Sequence, residues 1–406
     1  MSSIIGVADA DYINAFFAAN TTYSQTQMDS LANTALSSGI DYYQKGSYDL
    51  AITQFKRSAS LSSFSDNAAK AYDYIGKSYV KLGKTDQAIK TYEEAIRIYP
   101  VHDDFHLALG DIYNNQSNTC AALIEYKAAV RLDPTSTDNR YSLGQSYLTA
   151  GQYSDAREQF QQVVNRAPTS ATGYYGLAQV ERAAGNYQAA ISQLDKAINA
   201  DKTFINSYLE LGKTYADMGD MTQANEQVSY LTAKGTTAAT TAATTLSTYI
   251  TQVTQPTITS ASSKNGFSTS LGAATSVATL DTKLATPNST KLFSMSFVFS
   301  KDMDTASVLN RYNWSISRAS ITQNNGVYNG GLTVPTTEAT ILPIPLSIAY
   351  DDTTKTATVQ FRISQNAKGD ATIDPKHIVF KFSGIDTYAK AMDTSADEYS
   401  GFSGIV

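Results

Sequence analysis

A set of small and aromatic residues returns every 34 positions through the first half of the chain. Within Ala71–Pro100 the set is Gly76, Tyr79, Gly83, Ala88, Tyr92, Ala95 and Pro100. It recurs at Gly110, Tyr113, Ala122, Tyr126, Ala129 and Pro134, and Gly144 lies a further 34 residues on. Each unit holds two short amphipathic runs, split at Leu82-Gly83 in the unit quoted. One such pair cannot bury its own apolar faces, but a stack of pairs can. The period therefore constrains this half to a helical solenoid.

Residues three and four apart share a helix face, so Tyr72, Ile75, Gly76 and Tyr79 form one stripe. Ala88, Tyr92 and Ala95 form another on the second helix. Small residues at Gly76, Ala88 and Ala95 admit a close backbone approach, and the aromatics fill the space beside them. Gly83 suits the left-handed residue that ends a helix. Pro100 closes the second helix. This pattern resembles the tetratricopeptide repeat family. The resemblance covers about Thr34–Ala233 and implies six helix–turn–helix units that hold other proteins.

The first unit is imperfect: Gly39, Tyr42, Gly46, Tyr48, Ala51 and Phe55 fit, but the last small position is Ser58. The step from Gly39 to Gly76 is 37, placing three extra residues near Leu61–Asp66. The fifth and sixth units run through Tyr174–Ala197 and Tyr208–Ala224. The expected boundaries are an N-terminal segment at 1–27, the solenoid at 28–235, and a capping helix or linker at 236–256. The cap is expected because Ala239, Ala242, Leu246, Tyr249, Ile250 and Val253 recur at helical spacing.

Composition changes after Pro256. Residues 257–290 read as a Ser/Thr-rich linker or first strands, and 291–406 as an all-β sandwich. Alternation marks Lys291–Phe299, Tyr312–Ser317, Lys355–Phe361 and His377–Phe382 as strands. Phe297–Ile316, with its Ser-Lys-x-Met-Asp turn and Asn-Tyr-x-x-Ile run, resembles the bacterial Ig-like modules of surface-layer and adhesin-type proteins. Ser383–Asp393 resembles that family's closing strand and loop. The insertion Ala319–Pro345, carrying Asn324-Asn325-Gly326 and Asn329-Gly330-Gly331, departs from the compact pattern.

The formal net charge is −6 with a pI near 5.2, which argues against nucleic acid as the main partner. From Thr257 onward 12 basic residues balance 12 acidic ones, so the excess lies in the repeats. Only 17% of residues are charged, and Ser, Thr, Asn, Gln and 27 Tyr replace them. The single cysteine, Cys120, excludes an intrachain disulfide. No apolar run reaches the length of a membrane span. The first basic residue is Lys45, and Asp9 and Asp11 stand where a secretory signal has its apolar core. The expectation is export by a route that reads the N-terminal segment, with Ile4, Ile5, Phe16 and Phe17 as recognition or self-assembly contacts. The alternative is a cytoplasmic protein with that segment as a simple cap.

His102 and His106 have the i, i+4 spacing of a zinc helix. Yet His106 falls on the aromatic core position of Tyr72 and Tyr174, so a structural role is expected. Asp302, Asp304, Asp351, Asp352 and Asp386 lack calcium-loop spacing and read as turn and cap acceptors. No nucleophile–base pair or phosphate loop is present, so neither an enzyme nor a cofactor or metal site is expected.

On the family register, the inner face carries Leu36, Asp73, Leu107, Tyr141, Tyr175 and Leu209 at its central position. One turn on come Ile40, Lys77, Asp111, Gln145, Gln179 and Lys213. Leu107, Asp111, Tyr141, Gln145, Tyr175, Gln179, Leu209 and Lys213 are the expected partner-binding residues. Family members that grip C-terminal chaperone peptides clamp carboxylates here with Lys and Asn; this set suits a peptide held by stacking and amide hydrogen bonds. Removing Tyr141 and Tyr175 is expected to leave stability nearly unchanged. The function expected is a non-enzymatic bacterial scaffold for protein or peptide partners, at the cell surface or outside it, in assembly or adhesion. The alternative is a cytosolic adaptor.

Overall fold

The computed structural model describes residues 10–63, 65–319, 336–339 and 341–406, with side chains in the first helix from residue 25 onward. It divides into two compact units between Ala243 and Thr244. Ile4, Ile5 and the side chains of Phe16 and Phe17 lie outside the described residues, as do Asn324-Asn325-Gly326 and Asn329-Gly330-Gly331.

The first unit is a run of antiparallel helix pairs. They are α1 (Ala10–Gln44) with α2 (Tyr48–Leu61), α3 (Asp66–Lys81) with α4 (Thr85–Ile98), and α5 (Asp103–Asn115) with α6 (Thr119–Leu132). Then come α7 (Thr137–Thr149) with α8 (Tyr153–Arg166), α9 (Ala171–Ala183) with α10 (Tyr187–Ala200), and α11 (Ile205–Met218) with α12 (Met221–Ala233). The first helix is longer than the repeat requires, running unbroken from Ala10.

Each first helix ends on a left-handed residue. These are Gly46, Gly83, Gly151, Gly185 and Gly219, with φ between +69° and +86°, and in the third pair Ser117 at +59°. Helices α4, α6 and α8 stop just short of Pro100, Pro134 and Pro168. Inside each pair, one contact recurs sixteen residues apart. A Cβ added at Gly76, Gly110 or Gly144 would lie 2.3–2.7 Å from the ring of Tyr92, Tyr126 or Phe160. The glycine is the seat of the second helix's aromatic ring.

Helix α13 (Thr237–Val253) contains the division between the units. The second unit then carries ten strands among the described residues: β1 (Ile258–Lys264), β2 (Thr275–Ser276), β3 (Thr290–Phe299), β4 (Trp314–Arg318), β5 (Ser347–Asp351), β6 (Thr356–Ser364), β7 (Thr372–Ile373), β8 (Ile378–Phe382), β9 (Glu398–Ser400) and β10 (Gly404–Ile405). Two four-stranded antiparallel sheets have the orders β1-β3-β6-β5 and β10-β9-β8-β4; β2 and β7 form a third, small one. Along β6 every second residue, Ala357, Val359, Phe361 and Ile363, is buried. Phe293 pairs with Phe361 across β3–β6. Rings from the two larger sheets meet in one core: Phe361 with Phe380 at 5.3 Å and Phe297 with Trp314 at 5.3 Å. The strand expected from Tyr312 begins at Trp314, because Arg311–Asn313 form a 3-10 turn capped by Asn310.

Loop carboxylates act as caps and turn acceptors. Asp304 accepts from Ser307 N at 2.6 Å, and Asp351 from Thr353 N at 3.0 Å. Asp386 is fully buried. It accepts from the amides of Tyr388 and Lys390, both at 2.8 Å, and pairs with Lys301 at 2.6 Å. The Lys301 ammonium also donates to the carbonyls of Thr251 and Thr254, at the C-terminal end of α13, where a cation is favoured.

Candidate functional site: the inner face of the repeats

Successive first helices of the array touch one another: α1 with α3, α5 with α7, α7 with α9, and α9 with α11. This closer packing puts the first helices on the inner side of the curve. Leu107 and Asp111 sit on α5, Tyr141 and Gln145 on α7, Tyr175 and Gln179 on α9, and Leu209 and Lys213 on α11.

Four of these residues are joined into one polar ladder. Gln145 Nε2 donates to Tyr141 Oη on its own helix at 3.1 Å and to Gln179 Oε1 on the next at 2.6 Å. Gln179 Nε2 donates to Tyr175 Oη at 3.1 Å. Each hydroxyl thus accepts from a glutamine and keeps its own proton to give. Among the described residues, neither phenol donates to a partner.

The tyrosines are not bare surface groups. The Tyr141 ring packs on Phe160 at 5.4 Å, and Tyr175 stands edge-on to Phe204 at 5.3 Å. Replacing both by alanine would remove this packing, so the expectation of unchanged stability fails; phenylalanine isolates the hydroxyls. Burial raises the Tyr141 phenol to about 12, with the negative charge of Glu210 adding to it and the Gln145 hydrogen bond opposing. Burial, followed by Glu210, raises Tyr175 as well, while Arg182 works the other way.

Glu210 was not legible as part of the site. It is 2% exposed and bonded to Arg182 Nε at 2.6 Å, and the same guanidinium reaches Asp217 at 2.8 Å, tying α9 to α11. The available signal was register: Glu210 occupies the position of Gly176, Ser142 and Ala108 in earlier repeats. Asp111 is exposed but already accepts from Tyr126 Oη of its own repeat at 2.8 Å. Leu107 is half-buried beside Tyr126 and Leu143.

The histidines serve the scaffold. His106 lies 2.7 Å from Glu125 on the paired helix, and His102 precedes α5 and packs on Tyr99 and Phe105. The two do not share a helix.

Tetratricopeptide repeat models match residues 30–100, 75–137 and 141–203. The helical array is built of tetratricopeptide repeats. Such repeats bind protein or peptide partners and are generally non-catalytic. Similar solved structures include a tetratricopeptide repeat protein from Parabacteroides merdae, 18% identical over 54% of this chain and 86% of that one, TM-score 0.49. YrrB, described as a repeat protein with an unusual peptide-binding site, is 22% identical over 46% and 94%, TM-score 0.37. PilW, a type IV pilus biogenesis factor, is 18% identical over 52% and 97%, TM-score 0.44. No curated protein matches the chain. Among the described residues, no helix is long and apolar enough to cross a membrane.

Proposed function

We propose that this protein is a non-enzymatic scaffold of the bacterial cell surface or exterior, holding a protein partner along the inner face of its tetratricopeptide array. The observation that carries the reading is the ladder from Tyr141 through Gln145 and Gln179 to Tyr175. It spans two repeats and leaves hydroxyl donors on the face that this family uses for proteins and peptides. The strand-rich unit, in this reading, is an Ig-like module that serves in assembly or adhesion. The surface location is supported by the low charge content and by the Ser, Thr and Tyr that replace it. The N-terminal segment then acts in export or self-assembly.

Fractionation of the native producing cell tests the location. Recovery wholly in the cytosol overturns it and leaves a cytosolic adaptor. Capture of a partner from a native extract, compared between wild type and Tyr141→Phe with Tyr175→Phe, tests the face. Equal capture by both moves the interaction elsewhere in the chain.

A further inference from the structure

The connection between the first two repeats carries three residues beyond the 34-residue period, within Leu61–Asp66. There a hollow of about 470 Å³ opens among α2, α3 and α4, and Ser63 of that connection lines part of it. The volume is that of a small-molecule site. Its floor is α3, where the half-buried Tyr72 and Tyr79 flank the buried Ile75. Its walls carry Lys56 and Ser60 from α2, and Lys90, Thr91 and Glu94 from α4. These walls are second helices, so the hollow lies apart from the inner face.

The polar lining is rich in acceptors. The Ser60 hydroxyl donates to Arg57 O at 2.9 Å, Ser63 to Ala59 O at 3.3 Å and Thr91 to Gln87 O at 2.7 Å. Each of these oxygens has spent its proton on the backbone and is left to accept. Glu94 takes one hydrogen bond, from Tyr72 Oη at 3.2 Å, and has lone pairs to spare. A ligand that satisfies this lining brings several O–H donors. Two cations stand among the acceptors. Lys56 Nζ donates to Tyr79 Oη at 3.2 Å, and among the described residues neither it nor Lys90 has a carboxylate partner. Two ammonium groups against one carboxylate leave a single positive charge in the hollow. That matches one ligand carboxylate, and not a phosphate monoester with close to two charges. The tyrosine rings of the floor offer apolar surface to the C–H face of a sugar ring.

We infer that this hollow binds an acidic saccharide, one uronic acid or similar sugar carboxylate at a time. Lys56 and Lys90 hold the carboxylate from opposite walls. The tyrosine floor packs against the sugar ring, and the ring hydroxyls donate to Glu94, Ser60, Ser63 and Thr91. A neutral sugar of the same shape keeps the hydroxyl contacts and loses the charge-assisted bonds, which are the stronger kind. The site stands independently of the reading of the inner face as a partner-binding surface.

The test screens the full-length protein on an array of acidic and neutral oligosaccharides. It is then titrated calorimetrically with glucuronate and galacturonate, each as monomer and as trimer, and with their methyl esters, which keep every ring and lose the charge. Sodium sulfate is the anion control. Acidic saccharides are expected to bind, with the methyl esters weaker by about tenfold or more. Lys56→Gln and Lys90→Gln, both at exposed positions, are each expected to weaken the acids by about the same factor. Ser60→Trp, which fills the hollow from one wall, is expected to abolish binding. Far-UV circular dichroism checks that each variant is folded, and the lysine variants serve if Ser60→Trp is not. A trimer tighter than its monomer assigns a polymer chain as the source, and equal affinities a free sugar acid; either result upholds the site. It is overturned if no acidic saccharide binds, if the esters bind as well as the acids, if the lysine variants bind like wild type, or if sulfate at matched concentration displaces the saccharide.

Discussion

Gln145 and Gln179 stand 34 residues apart in the chain and 2.6 Å apart at their amides. One repeat period in sequence has become one hydrogen bond in space. The bond crosses from α7 to α9, so it couples adjacent repeats as well as ordering the face. Gln145→Ala and Gln179→Ala should therefore be non-additive in thermal or denaturant unfolding. A coupling of about 0.5–1.5 kcal/mol is expected, the range of a single hydrogen bond. Strict additivity would show that the two amides act independently.

The seating of ring on glycine can be tested at Gly144 and Phe160. A Cβ on Gly144 would lie 2.7 Å from the ring, which is wholly buried and has no room to give way. Gly144→Ala should destabilise the array by about 1–3 kcal/mol, measured by urea unfolding. The fifth repeat solves the same contact with Ala178 against Leu194. Gly144→Ala with Phe160→Leu should accordingly be less destabilised than the two single variants sum to.

Ser117 occupies a left-handed position where every other repeat has glycine. Its Cβ crowds the backbone there at a cost that glycine avoids. Ser117→Gly should stabilise the array by about 0.5–1 kcal/mol, read as a rise in melting temperature. A fall would mean that the serine side chain contributes something its φ does not reveal.

Alkali should open the array through its buried phenols. Burial raises Tyr141 to about 12 and also raises Tyr92, Tyr126 and Tyr175 above the ordinary 10. The folded state then holds protons that the unfolded state releases, so this contribution is intact below pH 10 and lost as pH rises toward 12. The ultraviolet absorbance of tyrosinate should show a late group of phenols ionising together with loss of helical circular dichroism. Phenols that titrate while the helices persist would contradict the burial.

Lys301 and Asp386 are 8% and 0% exposed and meet at 2.6 Å. Lys301→Ala should leave a buried, uncompensated carboxylate, costing about 3–5 kcal/mol. The chain's one tryptophan, Trp314, is buried in the strand-rich unit and donates to Val308 O at 2.9 Å. Its fluorescence therefore reports that unit's unfolding and should move to lower urea. An unchanged midpoint would show that the pair is not needed there.

The sequence by itself determined the helix pairs, their ends and the residues that meet inside each pair. Gly144 and Phe160 are sixteen positions apart, and the geometry of two short helices and a tight turn leaves little freedom in where they land. The alternation in Lys355–Phe361 likewise marked a strand there, which runs on in the structure to Ser364. The inner-face register placed Tyr141, Gln145, Tyr175 and Gln179 in line because equivalent positions must stack. The tertiary structure alone decided what depends on how one element is set against another. Arg182 finds Glu210 only once α9 and α11 are packed, and nothing local requires a carboxylate to be buried at that point. The hollow between α3 and α5, lined by Lys77, Val80, Ala108 and Asp111, depends on the spacing of those two helices. Lys301 reaches the end of α13 across 50 residues of chain, a pairing set by chain path, on which local periodicity carries no information.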